Sequence, residues 1–341
     1  MFFGSRVLIR VDGSAGKGLG HIYRMRQLGM GLRAAGITPA FVTLNDPYAV
    51  PLLEKTGLPC HVFDLGMESS CFTRAVEVEK PNLVINDILK TDDSWMDHVI
   101  STANVPVINF DDEGAGLNRA SAVVNALIHS WGGYKREVVT AKLYEGVKFL
   151  ILQESLKKYR AEPYSKRKKE FDLVVFFGGT DTRNVASTFV ESIEGLKGPL
   201  KILLVLGSSS NIPGLGIGEH VLRGHFLSVK ADVPDLFKLI SRTVLVLCAG
   251  GMSLFEVACL GLPSVCVATE KHEIFNCEYA SSIGFSKYAG YYEDITAVAV
   301  GDIVRKVYAD KKSLMFMSMV GKRAIDCDGL KRVVNIVKLL L

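Results

Sequence analysis

The N-terminal segment of the chain places a histidine where a phosphate group could bind. Residues 7–11 form a short apolar run that ends in the glycine-rich stretch DGSAGKGLG, and His21 then opens a helical pattern. A strand, a glycine turn and a helix in this order present backbone N–H groups to an anion. The imidazole of histidine has an ordinary pKa near ~6.5, which suits proton abstraction at neutral pH. We interpret His21 as a general base rather than a capping residue, with Gly18, Gly20 and Arg24 on the phosphate or sugar.

A second glycine turn opens the second half of the chain. Gly178-Gly179-Thr180-Asp181 follows an apolar run at residues 173–177 and precedes a helical pattern. Backbone N–H groups of such a turn can hold a diphosphate, and the Thr180 hydroxyl would add a further donor. The other interpretation is a plain strand–helix turn that Asp181 or Asn184 caps. We favour diphosphate binding by Gly178, Gly179 and Thr180.

A third glycine turn carries a carboxylate one helical turn further along. The stretch Gly250-Gly251-Met252-Ser253 leads into a helix that contains Glu256 and is predicted to end at Gly261, since Pro263 follows shortly after. The turn N–H groups would hold phosphates while the Glu256 carboxylate accepts hydrogen bonds from both hydroxyls of a ribose. A solvated glutamate is the other interpretation, and the adjacent glycine turn makes us prefer ribose binding.

Polar residues also follow three other predicted strands. His272, Glu273 and Asn276 lie in a loop that could bind a sugar or simply be exposed. Asp111-Asp112-Glu113 could bind Mg²⁺, but no further ligand stands at a suitable spacing, so we interpret this run as loop capping and predict no metal site. Asp87 ends another strand at the same sheet edge, and we assign it to catalysis beside His21.

Strand-like and helical runs alternate along the whole chain, which predicts parallel sheets with helices on both faces. The predicted helices include residues 22–35 and 93–103. The predicted strands are residues 7–11, 40–43, 60–63, 83–86, 105–110, 122–125, 173–177, 201–206, 222–226, 244–247, 264–267 and 285–288.

The length of 341 residues indicates about two domains of ~150 residues each. We predict an N-terminal Rossmann-like domain over residues 1–157 and a charged, proline-containing linker over 158–170. A nucleotide-binding Rossmann-like domain then occupies 171–341, with a last helix able to pack back on the N-terminal domain. Ligands of doubly wound sheets bind outside the carboxyl ends of the strands. We therefore expect an α/β protein whose two doubly wound domains face a central cleft that holds the ligand.

Composition excludes several classes of protein. The net charge of +4 gives no footprint for nucleic acid, and the basic cluster between Lys157 and Lys169 is interpreted as a solvated linker. No apolar stretch reaches the ~20 residues of a membrane span, and no secretory signal is visible. The seven cysteines lack CxxC spacing and are interpreted as reduced, packed thiols, so we expect a cytoplasmic protein.

Taken in order, these motifs resemble the PseG/SpsG-like family over nearly the whole chain, and the motif from Gly250 to Pro263 is the most specific. Its known members are UDP-sugar hydrolases of the pseudaminic acid pathway, and they share the GT-B fold with MurG glycosyltransferases. The resemblance implies that the C-terminal domain holds the nucleotide, with Glu256 on the ribose and residues 250–253 at the diphosphate. It also implies that His21 approaches the sugar. The hydrolases cut the anomeric C–O bond with inversion and need neither a metal nor another cofactor.

Two departures from the family pattern lie on the sugar side. The family's Asp-His-Tyr stands here as Asp87-Ile88-Leu89, and its Asn-Gln stands as His272-Glu273. We expect hydrolysis of a nucleotide-activated sugar, a UDP-sugar, which releases a nucleoside diphosphate and a free amino or deoxy sugar in surface-glycan or nonulosonate biosynthesis. The alternatives are an inverting GT-B glycosyltransferase and a non-catalytic nucleotide-sugar binding protein. The sequence shows no clear apolar patch for a lipid acceptor, which favours hydrolysis.

Overall fold

The computed structural model describes residues 4–14, 18–127, 140–178, 181, 183, 185–193, 196–207, 214–231, 233 and 235–341. These residues form two compact units. The first contains the described residues up to 127, residues 140–152 and Asp328–Leu341. The second contains the described residues of Gln153–Cys327.

The strands of the described residues are β1 (Arg6–Val11), β2 (Thr38–Leu44), β3 (Cys60–Phe63), β4 (Leu83–Asp87), β5 (Val107–Phe110), β6 (Ala122–Asn125), β7 (Lys142–Glu145), β8 (Phe171–Phe176), β9 (Lys201–Leu206), β10 (Gly218–Leu222), β11 (His225–Ala231), β12 (Thr243–Ala249), β13 (Ser264–Ala268) and β14 (Ser286–Tyr291). The α-helices are α1 (Gly20–Ala34), α2 (Ala49–Glu54), α3 (Glu68–Glu79), α4 (Asp93–Ala103), α5 (Leu156–Arg160), α6 (Val185–Ser192), α7 (Leu236–Ile240), α8 (Met252–Cys259), α9 (Glu273–Ile283), α10 (Ala297–Ala309), α11 (Lys311–Ala324) and α12 (Gly329–Leu340).

The sheet of the first unit has the order β3-β2-β1-β4-β5-β6-β7, and all its neighbouring strands are parallel. Its central strands are buried along almost their whole length, because helices cover both faces of such a sheet. Helix α1 buries Ile22, Met25 and Leu28 against this sheet. Helix α12 packs on α1, where a side chain at Gly31 would come within 2.9 Å of Leu330. The chain therefore ends with a helix that belongs to the first unit.

The sheet of the second unit has the order β10-β11-β9-β8-β12-β13-β14 and is parallel except for the β10–β11 pair. The prediction of one strand at residues 222–226 is wrong. Arg223 and Gly224 have φ angles of +50° and +84°, so these two residues form the turn of a hairpin between β10 and β11. Strand β7 was not predicted, because its residues are mostly exposed and show no apolar run.

The basic segment at residues 157–169 differs from the predicted solvated linker. The Arg167 guanidinium is buried and donates hydrogen bonds to the carbonyls of Tyr159, Glu162 and Leu260. The Lys169 Nζ is also buried and lies over the Tyr164 ring. The solvated interpretation is wrong for Arg167 and Lys169, since main-chain carbonyls and an aromatic face take the place of water.

None of the helices in the described residues is both long and apolar enough to cross a membrane. The seven cysteines are free thiols, of which Cys248, Cys259, Cys266 and Cys277 are buried.

Candidate functional site

His21 is the second residue of helix α1, directly after the turn that follows β1. The turn closes through a hydrogen bond from Ser14 N to Gly18 O, at 3.3 Å, and Gly18 adopts a φ of +84° that favours glycine. A side chain at Gly13 would lie 2.5 Å from Ile22 Cγ1. The missing side chain of Gly13 therefore allows the chain to pass close to the helix, and His21 lies at the carboxyl edge of the sheet.

The imidazole of His21 is held by a buried carboxylate. Strand β4 pairs with β1 so that Asp87 lies opposite Val11, and the His21 Nδ1 is 2.6 Å from the Asp87 Oδ1. Asp87 is fully buried, whereas the His21 side chain is 23% exposed. An ionised carboxylate only accepts hydrogen bonds. The Nδ1 atom therefore carries a hydrogen and donates a hydrogen bond to Asp87. In a neutral imidazole with this tautomer, Nε2 has the lone pair that a general base needs.

Arg24 stands one turn further along α1 and holds the same carboxylate. Its Nε donates to the Asp87 Oδ2 at 2.6 Å, its Nη2 donates to the Asp87 Oδ1, and its Nη1 donates to the Asp111 Oδ2. Burial alone would raise the pKa of Asp87, but the charges of Arg24 and His21 and their hydrogen bonds outweigh it and lower this pKa. The pKa of the Arg24 guanidinium is raised, because Asp87 and Asp111 outweigh its burial. Asp87 is therefore ionised at neutral pH.

The two aspartates that follow β5, Asp111 and Asp112, bond to different parts of the first unit. Asp111, which adopts a φ of +39°, pairs with Arg24 and also accepts a hydrogen bond from Leu127 N at 3.0 Å. Asp112 turns to the other side and accepts hydrogen bonds from Thr91 N and Gly114 N at 2.9 and 2.8 Å. Asp112 therefore caps the loop, as the sequence analysis predicted for this acidic run. The sequence reasoning missed the pairing of Asp111 with Arg24, which only the neighbouring positions of β4 and β5 could have indicated.

In the second unit, Gly250 and Gly251 form the turn between β12 and α8. A side chain at Gly250 would overlap the Cys277 Sγ, and one at Gly251 would lie 2.7 Å from the Glu273 Oε1. Gly251 caps α8 without a side chain. Since the first N–H groups of a helix have no partner within it, those at the start of α8, where Met252 and Ser253 lie, suit an anion.

The turn that begins at Gly178 follows β8, which is the strand that pairs with β12. Gly178 has a φ of +85°, and the Ser253 Oγ comes within 3.8 Å of the position where its side chain would start. Asp181 accepts hydrogen bonds from Val185 N and Ala186 N, so it caps α6, as the structural interpretation of this motif expected. Gly179 and Thr180 lie outside the described residues.

Glu256 is the fifth residue of α8. Burial raises its pKa to about 8, and a hydrogen bond with Gln153 opposes this rise. The carboxyl group of Glu256 therefore gains or loses its proton near neutral pH. A ligand group that donates hydrogen bonds to it would favour the ionised form.

The loop after β13 has its polar groups largely occupied. The Glu273 carboxylate is buried, and its Oε2 accepts hydrogen bonds from Thr269 N and Thr269 Oγ1 at 2.7 and 2.8 Å. Asn276 is also buried and donates to the Gly250 carbonyl at 3.1 Å. His272 precedes α9 and is exposed. Glu273 and Asn276 thus support the loop and the Gly250 turn, and His272 alone of the three faces solvent.

The class of protein follows from the two parallel-sheet units. The chain has the GT-B fold, and the predicted fold class is confirmed. The structure of MurG from Acinetobacter baumannii matches it with a TM-score of 0.68 at 14% identity, over 98% of this chain and 99% of that one. The structure described as the Spinosyn Forosaminyltransferase SpnP matches with a TM-score of 0.66 at 13% identity, over 99% of each chain. The MnaA–UDP structure from S. aureus matches with a TM-score of 0.63 at 12% identity, over 98% of this chain and 96% of that one.

At the level of sequence, the chain is 22% identical to the spore coat polysaccharide biosynthesis protein SpsG of Bacillus subtilis (strain 168) over 97% of both chains. The resemblance to the PseG/SpsG-like family is thereby confirmed. The chain is also 24% identical to the uncharacterized protein MJ1062 of Methanocaldococcus jannaschii, over 76% of this chain and 55% of that protein. No family profile matches the chain.

Proposed function

We propose that this protein is an enzyme that acts on a nucleotide-activated sugar in polysaccharide biosynthesis. The similarity to SpsG supports the biosynthetic setting, and the fold shared with the UDP complex of MnaA supports a uridine nucleotide. In this proposal the second unit binds the nucleotide, with Glu256 on the ribose and the turns at Gly178–Thr180 and Gly250–Ser253 on the diphosphate. Gly18 and Gly20 support the phosphate or sugar from the first unit, Arg24 acts on this site through Asp87 and Asp111, to which it is bonded, and His272 is a candidate sugar contact.

The reaction that we propose is hydrolysis at the anomeric carbon, and the His21–Asp87 pair is the observation that carries it. The His21 Nε2 takes a proton from water while the water oxygen forms a bond to the anomeric carbon. The bond from that carbon to the diphosphate oxygen breaks on the opposite face, so the configuration inverts and the oxygen keeps the electron pair. Asp87, 2.6 Å from Nδ1, stabilises the imidazolium that forms.

The leaving group develops negative charge as the bond breaks. We assign the stabilisation of this charge to the N–H groups at the start of α8 and to the glycine turn before it. Such donors are fixed by the fold before the reaction begins, so that little reorganisation accompanies charge development.

Transfer of the sugar to an alcohol is the second candidate, and one observation favours it. Leu65 and Met67, which follow β3 at the carboxyl edge of the first unit's sheet, are 89% and 56% exposed. Exposed apolar side chains at this edge suit an acceptor with an apolar portion. Base catalysis by His21 would be the same, with an acceptor hydroxyl in place of water.

A panel of nucleotide sugars in ¹⁸O-labelled water, with and without alcohol acceptors, tests both candidates. Hydrolysis places ¹⁸O on the anomeric carbon of the free sugar and leaves the nucleoside diphosphate unlabelled, as mass spectrometry would show. Dependence of turnover on an acceptor would replace hydrolysis with transfer. Binding of nucleotide sugars without turnover in any combination would overturn the enzymatic proposal.

A further inference from the structure

The second unit carries a cavity of about 450 Å³ at the edge of its sheet opposite to the glycine turns. Strands β8 and β12 pair from Phe171 and Thr243 onwards, and the lining residues lie ahead of these two positions in the chain, within 158–170 and 238–242. Gly178 and Gly250 follow the other ends of the same strands. Seven residues of an extended strand span roughly 23 Å, so the cavity is well separated from the candidate nucleotide site.

The lining of this cavity is strongly basic. It includes Lys158, Arg167, Lys168, Lys238 and Arg242, against only two carboxylates. One of these carboxylates, that of Glu170, is already paired with Arg242 at 2.6 Å. The cavity therefore has an excess of positive charge, and it favours an anion.

Two buried cationic groups have unused hydrogen-bond donors: Arg167, which lines this cavity, and Lys169, which stands in the chain between the lining residues Lys168 and Glu170. Arg167 is only 5% exposed, and its Nη1 has no hydrogen-bond partner although its Nε and Nη2 are bonded to carbonyls. The neighbouring Lys169 Nζ is also buried without a hydrogen-bond partner, and burial and the Arg167 charge lower the pKa of Lys169 to about 7. A buried donor without a partner is costly, and an oxygen anion in the cavity would relieve that cost for Arg167.

We propose that this cavity binds a small anion with more than one phosphate charge, at a site distinct from the nucleotide site. The planar guanidinium of Arg167 and the mobile ammonium groups of Lys168 and Lys238 match phosphate oxygens. The volume lies within the ~300–1,000 Å³ of small-molecule sites. The basic residues line one cavity of this size, which favours a small ligand over a nucleic acid.

Lysine labelling with an amine-reactive reagent, read by mass spectrometry, tests this site on the full-length protein. Inorganic pyrophosphate is expected to protect Lys168 and Lys238, both exposed, and to leave the exposed Lys287 of the same unit unprotected. In calorimetry, the double substitution Lys168→Glu/Lys238→Glu is expected to weaken pyrophosphate binding here about tenfold or more, whereas Lys287→Glu leaves it unchanged.

The labelling pattern keeps this site apart from the nucleotide site, which carries neither lysine. Equal labelling of Lys168 and Lys238 with and without pyrophosphate would overturn the proposal, as would protection that Lys287 shares. Stronger protection by a single-stranded oligonucleotide than by pyrophosphate would overturn the choice of a small ligand.

Discussion

The Nδ1 of His21 lies 2.6 Å from the Oδ1 of Asp87, although the two residues are 66 positions apart in the chain. The contact joins the start of α1 to the end of β4 and is reinforced by Arg24, which bonds to both oxygens of Asp87. The contact directs the Nδ1 atom of the imidazole towards a buried carboxylate.

Replacement of His21 by asparagine is expected to lower kcat by ~10²–10⁴-fold, the usual contribution of a positioned general base. Nucleotide affinity should hardly change, since the proposed nucleotide contacts come from the second unit. Steady-state kinetics and calorimetry measure these two effects. His61→Asn is the matched control, because His61 is 22% exposed and its Nε2 lies 2.9 Å from the Glu79 carboxylate. Equal losses in both variants would remove His21 from the reaction.

Arg24→Met should destabilise the fold at neutral pH by about 3–5 kcal/mol, because it leaves two buried carboxylates without their cation. Arg119→Met is the control, since the Arg119 ion pairs with Asp93 and Asp97 are largely exposed and such pairs contribute below about 1 kcal/mol. Urea denaturation measures both. A loss for Arg24→Met as small as that of the control would contradict the structure of this network.

The acid sensitivity of the protein should depend on the same network. The pKa of Asp87 in the folded state lies below its ordinary value of 3.8. The stability that Asp87 contributes is therefore present above that value and is lost as the pH falls through the lower, folded-state pKa. Urea denaturation in steps below pH 4 should show this loss in the wild type. The loss should be smaller in Arg24→Met, because only His21 then remains to lower the pKa of Asp87.

Binding of a nucleoside diphosphate is expected to release a proton from Glu256. The pKa of this carboxyl is raised to about 8 in the free protein, and ribose hydroxyls that donate to it would lower the pKa. Calorimetry at pH 7.5 in buffers of different ionisation enthalpy detects the release. Glu256→Gln should abolish the release and weaken binding by about 1–3 kcal/mol, whereas the exposed Glu278→Gln should leave both unchanged. Unaltered release in Glu256→Gln would exclude this glutamate from the ribose.

The raised pKa of Glu256 also predicts how the free energy of unfolding changes as the pH rises above neutral. A carboxyl with a raised folded-state pKa binds its proton more tightly in the folded protein, so its contribution is complete below the ordinary value of 4.5. That contribution is lost as the pH rises through about 8. The midpoint of urea denaturation should thus fall less between pH 5 and 9 in Glu256→Gln than in the wild type.

Gly250→Ala should destabilise the protein by about 1–3 kcal/mol and weaken nucleotide binding, because the added methyl group overlaps Cys277 and must displace the turn. Gly216→Ala is the control, since nothing lies within 4 Å of the added methyl group there. Thermal denaturation and nucleotide titration of the two variants measure the difference. If the two glycines tolerated alanine equally well, the turn would not need the close approach that the structure shows.

Turnover is expected to survive EDTA. Asp111 is bonded to Arg24 and Leu127, and Asp112 to Thr91 and Gly114, so the acidic run is already engaged in supporting the loop. Activity that disappears with EDTA and returns with added Mg²⁺ would show that the diphosphate needs a cation in addition to the backbone donors.

The sequence by itself determined the parts of the protein that rest on local patterns. The apolar run of β1, the glycine turn and the amphipathic helix α1 lie next to each other in the chain, so His21 could be placed at a helix start without a structure. The same holds for the turn at Gly250 and for Glu256 one turn into α8. The alternation of strands and helices determined the fold class in the same way.

The tertiary structure decided which of these residues meet. The position of Asp87 beside His21 and of Asp111 beside Arg24 depends on the strand order β1-β4-β5, which no local pattern specifies. The exposed strand β7 and the tight turn at Gly224 also escaped the hydrophobic pattern. Burial raised the pKa of Glu256. The folded loop also brought the Glu273 carboxylate into hydrogen bonds with Thr269. Charges, partners and solvent access depend on residues that are distant in the chain and come together only when the sheets form, so they follow from packing rather than from spacing along the chain.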